Sequence, residues 1–584
     1  MNPQALKQIA MGLHQSGQPG PALSLYRQLL MQLPDDEQLF FMAGTAALQT
    51  GDAQLAEHLL DISLALIPDR PVALANRATA RMALKKYTEA EDDFNLALTL
   101  APDFTEGYFN RGNLHLALHK TAQAMVDFDH AITLKSDHIG AHYNRGTLKL
   151  TIRDYYGAIV DFDRVIALAP RHAGAYNNRG NAWRSMHKPE EALASYRMAA
   201  AIDPGGYEGQ YNTAIALTEL ARPEEALAVC DTALKRHPEC AEAYCCRGNI
   251  LRELGRFTEA IDFYKKAEAL KPDYAEARWD RSLVELLLGD YANGWDGFEE
   301  RWRCALPQSA QRGFKQPCWQ GEDIHGKTIL LHAEQGFGDT IQFCRYVPMV
   351  AERGAKVLFE APSVLIPLLK TLKGDFTLLE QGGPLPAFDL HCPLMSLPSA
   401  FATRTDSIPT PQAYLSVDPA RTGPWAMRLG VQSAPRIGLV WSGRPGLVPD
   451  RTRSMSLARL SPLLAQSYEF HALQKEIRVD DAGLLDAMPQ LRTHCSALQD
   501  YADTAALINS LDLVISVDTS VAHLAGSIGK PVWLMLPFAP DWRWLTERSD
   551  SLWYASARLF RQKRRGDWEG LISDIITALH QTFG

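Results

Sequence analysis

The segment Asp518-Thr519-Ser520-Val521-Ala522-His523-Leu524-Ala525 holds the densest set of groups able to do chemistry. An apolar run over 511–518 leads straight into it and reads as a buried strand. The helix expected from Thr519 or Ser520 opens with backbone N–H groups that no helical carbonyl can satisfy. That end carries partial positive charge and suits a diphosphate. Helical spacing sets His523 one turn from Thr519 on the same face, within reach of the same ligand. The same residues also have a plain structural reading: Asp518 or Thr519 caps the helix, and His523 is a satisfied core histidine.

Such a site needs strands to hold it. After Pro307 the sequence alternates strand and helix, the pattern of an α/β fold. Expected strands cover 327–334, 355–362, 436–443, 468–475, 511–518 and 530–537, with helices at 363–372, 501–510 and 519–529. The turn Gln335-Gly336-Phe337-Gly338-Asp339 joins the first strand to a helix from Thr340. The stretch 384–418, rich in proline and turn signals, closes a first lobe, so two doubly wound lobes facing a cleft are expected. Ligands of such sheets lie at the carboxyl ends of the strands. Lys475 ends one strand, and Arg451 and Arg453 lie in the loop Asp450-Arg451-Thr452-Arg453-Ser454. Arginine suits phosphate, although two arginines in a surface loop are more often merely solvated. Trp441, Trp542 and Trp544 border strand ends and read as core.

The first half is a repeat. Pro34, Pro68, Pro102, Pro170, Pro204, Pro238 and Pro272 recur at intervals of 34 residues or twice that, with Ser136 filling the one gap. In the same register run a small position (Gly44, Ala78, Gly112, Gly146, Gly180), a second small position (Ala56, Ala90, Ala124, Ala158, Ala192) and a bulky one (Phe94, Phe128, Phe162, Tyr196). This is the tetratricopeptide pattern, a helix-turn-helix of 34 residues. Small residues let paired helices approach, the bulky residue fills the gap to the next unit, and proline ends the second helix. About nine units make a superhelix over 1–306, followed by lobes at 307–430 and 431–584.

One column has no evident packing duty: Asn76, Asn110, Asn144, Asn178 and Asn212. Asparagine is a mediocre helix former. Its amide both donates and accepts, so a ladder of five could hold an extended polypeptide backbone in the concave groove. The alternative is that each Asn bonds a neighbouring helix. The pairs Asp127/Asp129 and Asp161/Asp163 flank buried rings and read as exposed charges rather than metal ligands.

Composition sets limits. Lys plus Arg is 59 and Asp plus Glu is 68, a net charge of −9, which argues against a generally basic, nucleic-acid-binding surface. Nine cysteines without a CxxC suggest neither a disulfide scaffold nor a zinc module, and no His, Cys and Asp cluster has metal-ligand spacing. No secretory signal or membrane-length apolar run is visible, so a soluble, cytoplasmic protein is expected, with no integral membrane association.

The stretch from Asp518 to Pro531, with the following strand and Trp542, resembles family 9 glycosyltransferases, the heptosyltransferase-like group. That family shows Asp-Thr-Gly-x-x-His-Leu-Ala and then Gly-x-Pro; here Ser520 stands where glycine is usual. Its N-lobe signature, a glycine-rich turn with Gly-Asp opening a helix, matches Gly338-Asp339. Joined to the repeats, the architecture is similar to O-linked N-acetylglucosamine transferases, whose superhelix carries a comparable asparagine ladder. The resemblance implies two Rossmann-like lobes (GT-B type) and an inverting, metal-independent transfer. The donor would be a nucleotide-sugar, UDP-GlcNAc among the candidates, and the acceptor a Ser or Thr hydroxyl of a polypeptide in the repeat groove. It makes Asp339 the general base and the second lobe the donor site, with Gly338, Arg453, Asp518, Thr519, Ser520 and His523 near the donor. Lys475 would stabilise the leaving diphosphate. Two other outcomes stay open: transfer to a glycan or lipopolysaccharide core, and an adaptor whose lobes are inactive.

Overall fold

The computed structural model describes residues 2–304, 312–410, 412–443 and 450–584, and among these the Asp450 and Arg451 side chains lie outside the described part. The chain forms two compact units, Met1–Leu220 and Ala221–Gly584.

The first unit is a stack of antiparallel helix pairs running from Pro3–Gln15 to Tyr207–Glu219. The small columns exist because the helices of a pair touch. A Cβ on Gly112 would stand 2.7 Å from the Phe128 ring, and one on Gly180 would stand 2.5 Å from Tyr196. Phe94, Phe128, Phe162 and Tyr196 are fully buried. Each of these rings therefore lies on its own pair as well as filling the gap to the next unit, as Phe94 does in its cluster with Ala78 and Leu114.

The aspartates beside the rings correct the sequence reading. Asp127 and Asp161 are not exposed charges but are 1% exposed. Each lies against an arginine of its own pair, with Arg111 Nη2 at 2.6 Å from Asp127 Oδ1 and Arg145 Nη2 at 2.5 Å from Asp161 Oδ1. Only the outer members, Asp129 and Asp163, are half exposed, and they take Arg145 and Arg179 of the following pair at 2.6 Å. Arg77, Arg111, Arg145 and Arg179, at 34-residue spacing, thus pin four successive helix pairs internally and to their predecessors.

The second unit begins with helices of the same period and ends the array with α1 (Ala275–Leu287) and α2 (Tyr291–Phe298). Two sheets follow. The first holds β1 (Thr328–His332), β2 (Lys356–Ala361), β3 (Phe376–Glu380) and β4 (Leu390–Pro393) in the order β3-β2-β1-β4. The second holds β5 (Arg436–Val440), β6 (Glu469–Ala472), β7 (Leu491–Thr493), β8 (Leu513–Val517), β9 (Val532–Leu536) and β10 (Ala557–Arg561) in the order β10-β9-β8-β5-β6-β7. Every named pairing is parallel. The strand order reverses between β5 and β8, so the connections leave on opposite sides and a crevice opens at their carboxyl ends.

Three helices position the site: α3 (Phe337–Phe343) after β1, α4 (Tyr501–Asn509) before β8, and α5 (Ser520–Ser527) after β8. One apolar core unites Trp295 and Phe298 of α2 with Ile329, Ile341, Leu524 and Trp542, so the end of the array and both sheets share packing. Among the described residues no helix is long and apolar enough to cross a membrane.

Candidate functional site

The two motifs meet. A Cβ on Gly338 would stand 2.8 Å from His523 Cδ2 and 3.3 Å from Ser520 Cα, so α3 rests on the first turn of α5 at a point where only glycine fits. This contact brings the turn before Asp339 to the residues that follow β8.

Asp339 does two things there. Its Oδ2 accepts the Gly336 backbone N–H (2.8 Å), a helix-capping role. Its Oδ1 lies 2.5 Å from Arg543 Nη2. Arg543 was not singled out from the sequence. It is 7% exposed, donates Nε to Gln342 Oε1 (2.5 Å) and Nη1 to Asp541 Oδ1 (2.9 Å), and lies 4.4 Å over the Trp542 ring. Burial alone would lower its pKa, but the carboxylates of Asp541, Asp339 and Asp518 push it upward, so it stays charged. The sequence signal was an arginine between two tryptophans, Asp541-Trp542-Arg543-Trp544, just beyond a strand. Both tryptophans and Trp441 are core, as expected.

His523 follows the bland reading. It is 5% exposed, its Nδ1 pairs with the Tyr554 hydroxyl (2.9 Å), and its Nε2 lies 3.6 Å from Asp518 Oδ1. It stacks on Trp544 with centroids 5.6 Å apart. Both ring nitrogens thus face protein groups in the crevice wall. Asp518 is 9% exposed. Burial would raise its carboxyl, but hydrogen bonding and charge from His523, the Arg453 charge and the Trp544 indole hold it down at about 2. Arg453, half-buried, therefore lies close enough to act on Asp518.

Thr519 is the N-cap of α5 in extended conformation, without a side-chain capping bond, and its hydroxyl is 3.1 Å from Ser516 Oγ. The Ser520 hydroxyl is taken by Tyr501 of α4 at 2.6 Å. What this end offers an anion is its backbone N–H groups and dipole. Lys475 is exposed and donates to the Gln499 carbonyl (2.9 Å), at the end of β6 and one strand beyond β5 from β8. The structure brings the Gly338-Asp339 turn to Ser520 and His523, with Arg543 acting on Asp339 and Asp518 and Arg453 on Asp518, while Lys475 stands apart beyond β5.

In the first unit the ladder asparagines are half-buried. Four donate within the stack: Asn76 to Thr45 Oγ1 (3.0 Å), Asn144 to Asn113 Oδ1 (2.7 Å), Asn178 to the Tyr143 hydroxyl (3.2 Å) and Asn212 to Asn177 Oδ1 (2.7 Å). The alternative reading of the column, a bond to the neighbouring helix, is thus what these four amides do.

Comparison with known proteins bears on the repeats. Residues 41–104, 143–207 and 211–275 match the tetratricopeptide-repeat family model, and the helical array is a tetratricopeptide solenoid. Protein FlbA of Caulobacter vibrioides is 27% identical over 328 residues, covering 51% of this chain and 54% of that protein. The chain thus spans about half the length of the curated relative it matches. Among solved structures, the tetratricopeptide protein YrrB is 20% identical, with a TM-score of 0.28, over 32% of this chain and 95% of its own. A tetratricopeptide protein of Parabacteroides merdae is 20% identical, with a TM-score of 0.35, over 42% of this chain and 98% of its own.

Proposed function

We propose that the two-sheet region is an inverting glycosyltransferase of GT-B type that needs no metal. It moves a sugar from a nucleotide-sugar such as UDP-GlcNAc to a Ser or Thr hydroxyl of a polypeptide held by the repeats, in the cytoplasm. The observation that carries this reading is the contact of Gly338 with Ser520 and His523, which sets Asp339 beside the start of α5 in one crevice. A pair of Rossmann-like lobes accounts for the strand orders β3-β2-β1-β4 and β10-β9-β8-β5-β6-β7.

In this mechanism the diphosphate lies on the α5 N-terminus, with Arg453 near it, and Lys475 must leave the Gln499 carbonyl and swing across to reach it. Asp518, anionic at neutral pH, would repel phosphate and instead accepts hydroxyls of the donor. Asp339 takes the acceptor proton as the hydroxyl attacks the anomeric carbon, which requires Arg543 to shift toward Asp541 and the incoming negative charge. In the repeats, hydrogen bonds into the stack orient the Asn76, Asn144, Asn178 and Asn212 amides without using their carbonyls, leaving capacity for a peptide backbone.

The test is a thermal-shift series with nucleotide diphosphates, followed by transfer of labelled sugar to protein in cell extract. One diphosphate is expected to raise the melting temperature. Asp339→Asn is expected to keep that shift and to lose at least a hundredfold in transfer. A second reading rests on the Arg543–Asp339 ion pair, which occupies the carboxylate a base would use. It makes the region a binding module of the repeat scaffold, and it prevails if no diphosphate shifts the melting temperature.

A further inference from the structure

A cavity of about 700 Å³ opens in the second unit where the end of the array meets the carboxyl edge of the four-stranded sheet. Its walls include Glu299, Trp302, Phe314, His332, Glu334 and His391. The size and the mixed aromatic and polar lining are those of a small-ligand site.

At one wall a single guanidinium serves two carboxylates. Arg301 is fully buried; its Nη1 donates to Glu299 Oε1 (2.8 Å) and its Nη2 to Glu334 Oε1 (3.1 Å) and Ser396 Oγ (2.7 Å). Two acids sharing one cation leave the cluster a positive charge short. Burial pushes the Glu334 carboxyl up to about 7 against the pull of Arg301, and the Glu299 and Asp339 charges add to the rise.

His332 gives an independent indication of a ligand. It is 3% exposed, it lines the cavity, and its Nδ1 has no hydrogen-bond partner among the described residues. Its Nε2 lies 3.3 Å from His391 Nδ1. Burial, with His391 and Arg312 nearby, pushes this imidazole down to about 3, so the ring is neutral. In the tautomer that carries its proton on Nε2 and directs it at His391, Nδ1 offers a lone pair to a donor; in the other, Nδ1–H faces the Ala333 backbone. Arg312, the other cation on the wall, is committed to the buried Glu360 and lies 4.9 Å over Phe314. The cavity thus presents an acceptor nitrogen, an excess of carboxylate and aromatic faces.

We propose that this cavity binds a ligand through one ammonium or guanidinium head, seated between Glu299 and Glu334 with an N–H on His332 Nδ1 and its stem along Trp302 and Phe314. The chemistry is that of a lysine or arginine side chain on a polypeptide, or of a free amine. The site stands whether or not the neighbouring crevice transfers sugar.

Titration calorimetry of the full chain tests this with N-acetylarginine amide, N-acetyllysine amide and neutral N-acetylglutamine amide, beside a six-residue peptide with a central arginine. A cationic probe is expected to bind at least tenfold tighter than the glutamine probe, and Glu299→Gln to remove that preference. The groups acting on Glu334 are Arg301 and Glu299 from the end of the array and Asp339 from α3, with Cys392 of β4 nearby and His332 of β1 and His391 of β4 on the same cavity wall. Both histidines titrate below their usual range, so Glu334 is the group that changes charge near neutrality. Affinity should therefore rise about tenfold from pH 6 to pH 8, as the Glu334 proton is displaced. A peptide binding more than tenfold tighter than the free amide assigns the site to a polypeptide, and equal affinities assign it to a free amine. Equal binding of cationic and neutral probes, or an affinity flat with pH, overturns the proposal. Should Glu299→Gln not fold, proton release by the unaltered protein decides: about half a proton at pH 7 supports the site, and none refutes it.

Discussion

The Arg543 guanidinium fastens Asp339 to the far side of the crevice, with Nη2 at 2.5 Å from Asp339 Oδ1 and Nη1 at 2.9 Å from Asp541 Oδ1. The Asp339 side chain is 21% exposed and that of Arg543 8%, so the cation is the buried partner and the acid the more accessible one. Loss of the cation leaves two carboxylates facing each other, whereas loss of the acid leaves Arg543 with Asp541. Arg543→Gln is therefore expected to cost about 3 kcal/mol and Asp339→Asn about 1 kcal/mol in urea unfolding. Equal costs would mean that Asp541 does not hold the guanidinium.

The close approach of α3 to α5 predicts a second asymmetry. Gly338→Ala places a methyl 2.8 Å from the His523 ring and 3.3 Å from the Ser520 Cα, and the backbone atom cannot rotate away. A loss of about 1–3 kcal/mol is expected. Gly423→Ala, where a Cβ meets nothing within 4 Å, should leave stability unchanged or slightly higher. A tolerated Gly338→Ala would show that the two helices can part at little cost.

The array was legible because every repeat must solve the same contact, so Gly112 against Phe128 and Gly180 against Tyr196 recur at a fixed spacing. The strands legible in the second half are buried on both faces, as β8 and β9 are throughout. Those not foreseen lack that signal: β3 lies at an edge with half-exposed residues, β4 sits in a proline- and turn-rich stretch, β7 has three residues and β10 alternates Arg558 and Leu559. Gly338-Asp339 and the stretch from Asp518 to His523 stood out by residue type, but the partner that joins them did not. Arg543 is separated from Asp339 by 204 residues, and nothing local marks which carboxylate an arginine will reach. The buried Asp127 and Asp161 were misread for the same reason, since a charge beside a ring looks exposed until its arginine is found.

That arginine column makes a buried and an exposed ion pair with the same guanidinium. Asp161 is 1% exposed and is held by Arg145, Lys149 and His142, which together outweigh burial and keep its carboxyl well below the usual range. Asp129, contacting the same Arg145 at 2.6 Å, is 53% exposed. Asp161→Ala strands three cationic or polar groups and should cost about 3 kcal/mol, while Asp129→Ala should stay within about 0.5 kcal/mol. Thermal unfolding at two salt concentrations reads both: salt should erase the small effect of Asp129 and leave that of Asp161.

Glu334 gives stability a pH dependence of unusual sign for a carboxyl group. Its pKa rises from 4.5 to about 7 on folding, so the native state keeps a proton that the unfolded chain releases. Where the native state binds more protons, stability falls as pH rises. The contribution is complete below about pH 4.5 and is lost as pH climbs through about 7, amounting to about 3 kcal/mol at most. Glu334→Gln cannot ionise and still offers an oxygen to Arg301, so it lacks this slope. The melting temperature of the variant relative to the unaltered protein should therefore rise by a few degrees between pH 5 and pH 8. A ligand cation in the neighbouring cavity should shrink the difference at pH 8, because it stabilises the ionised carboxylate that the glutamine cannot form. A difference constant with pH would place the Glu334 carboxyl in its ordinary range and remove the pH dependence expected of cation binding in the cavity.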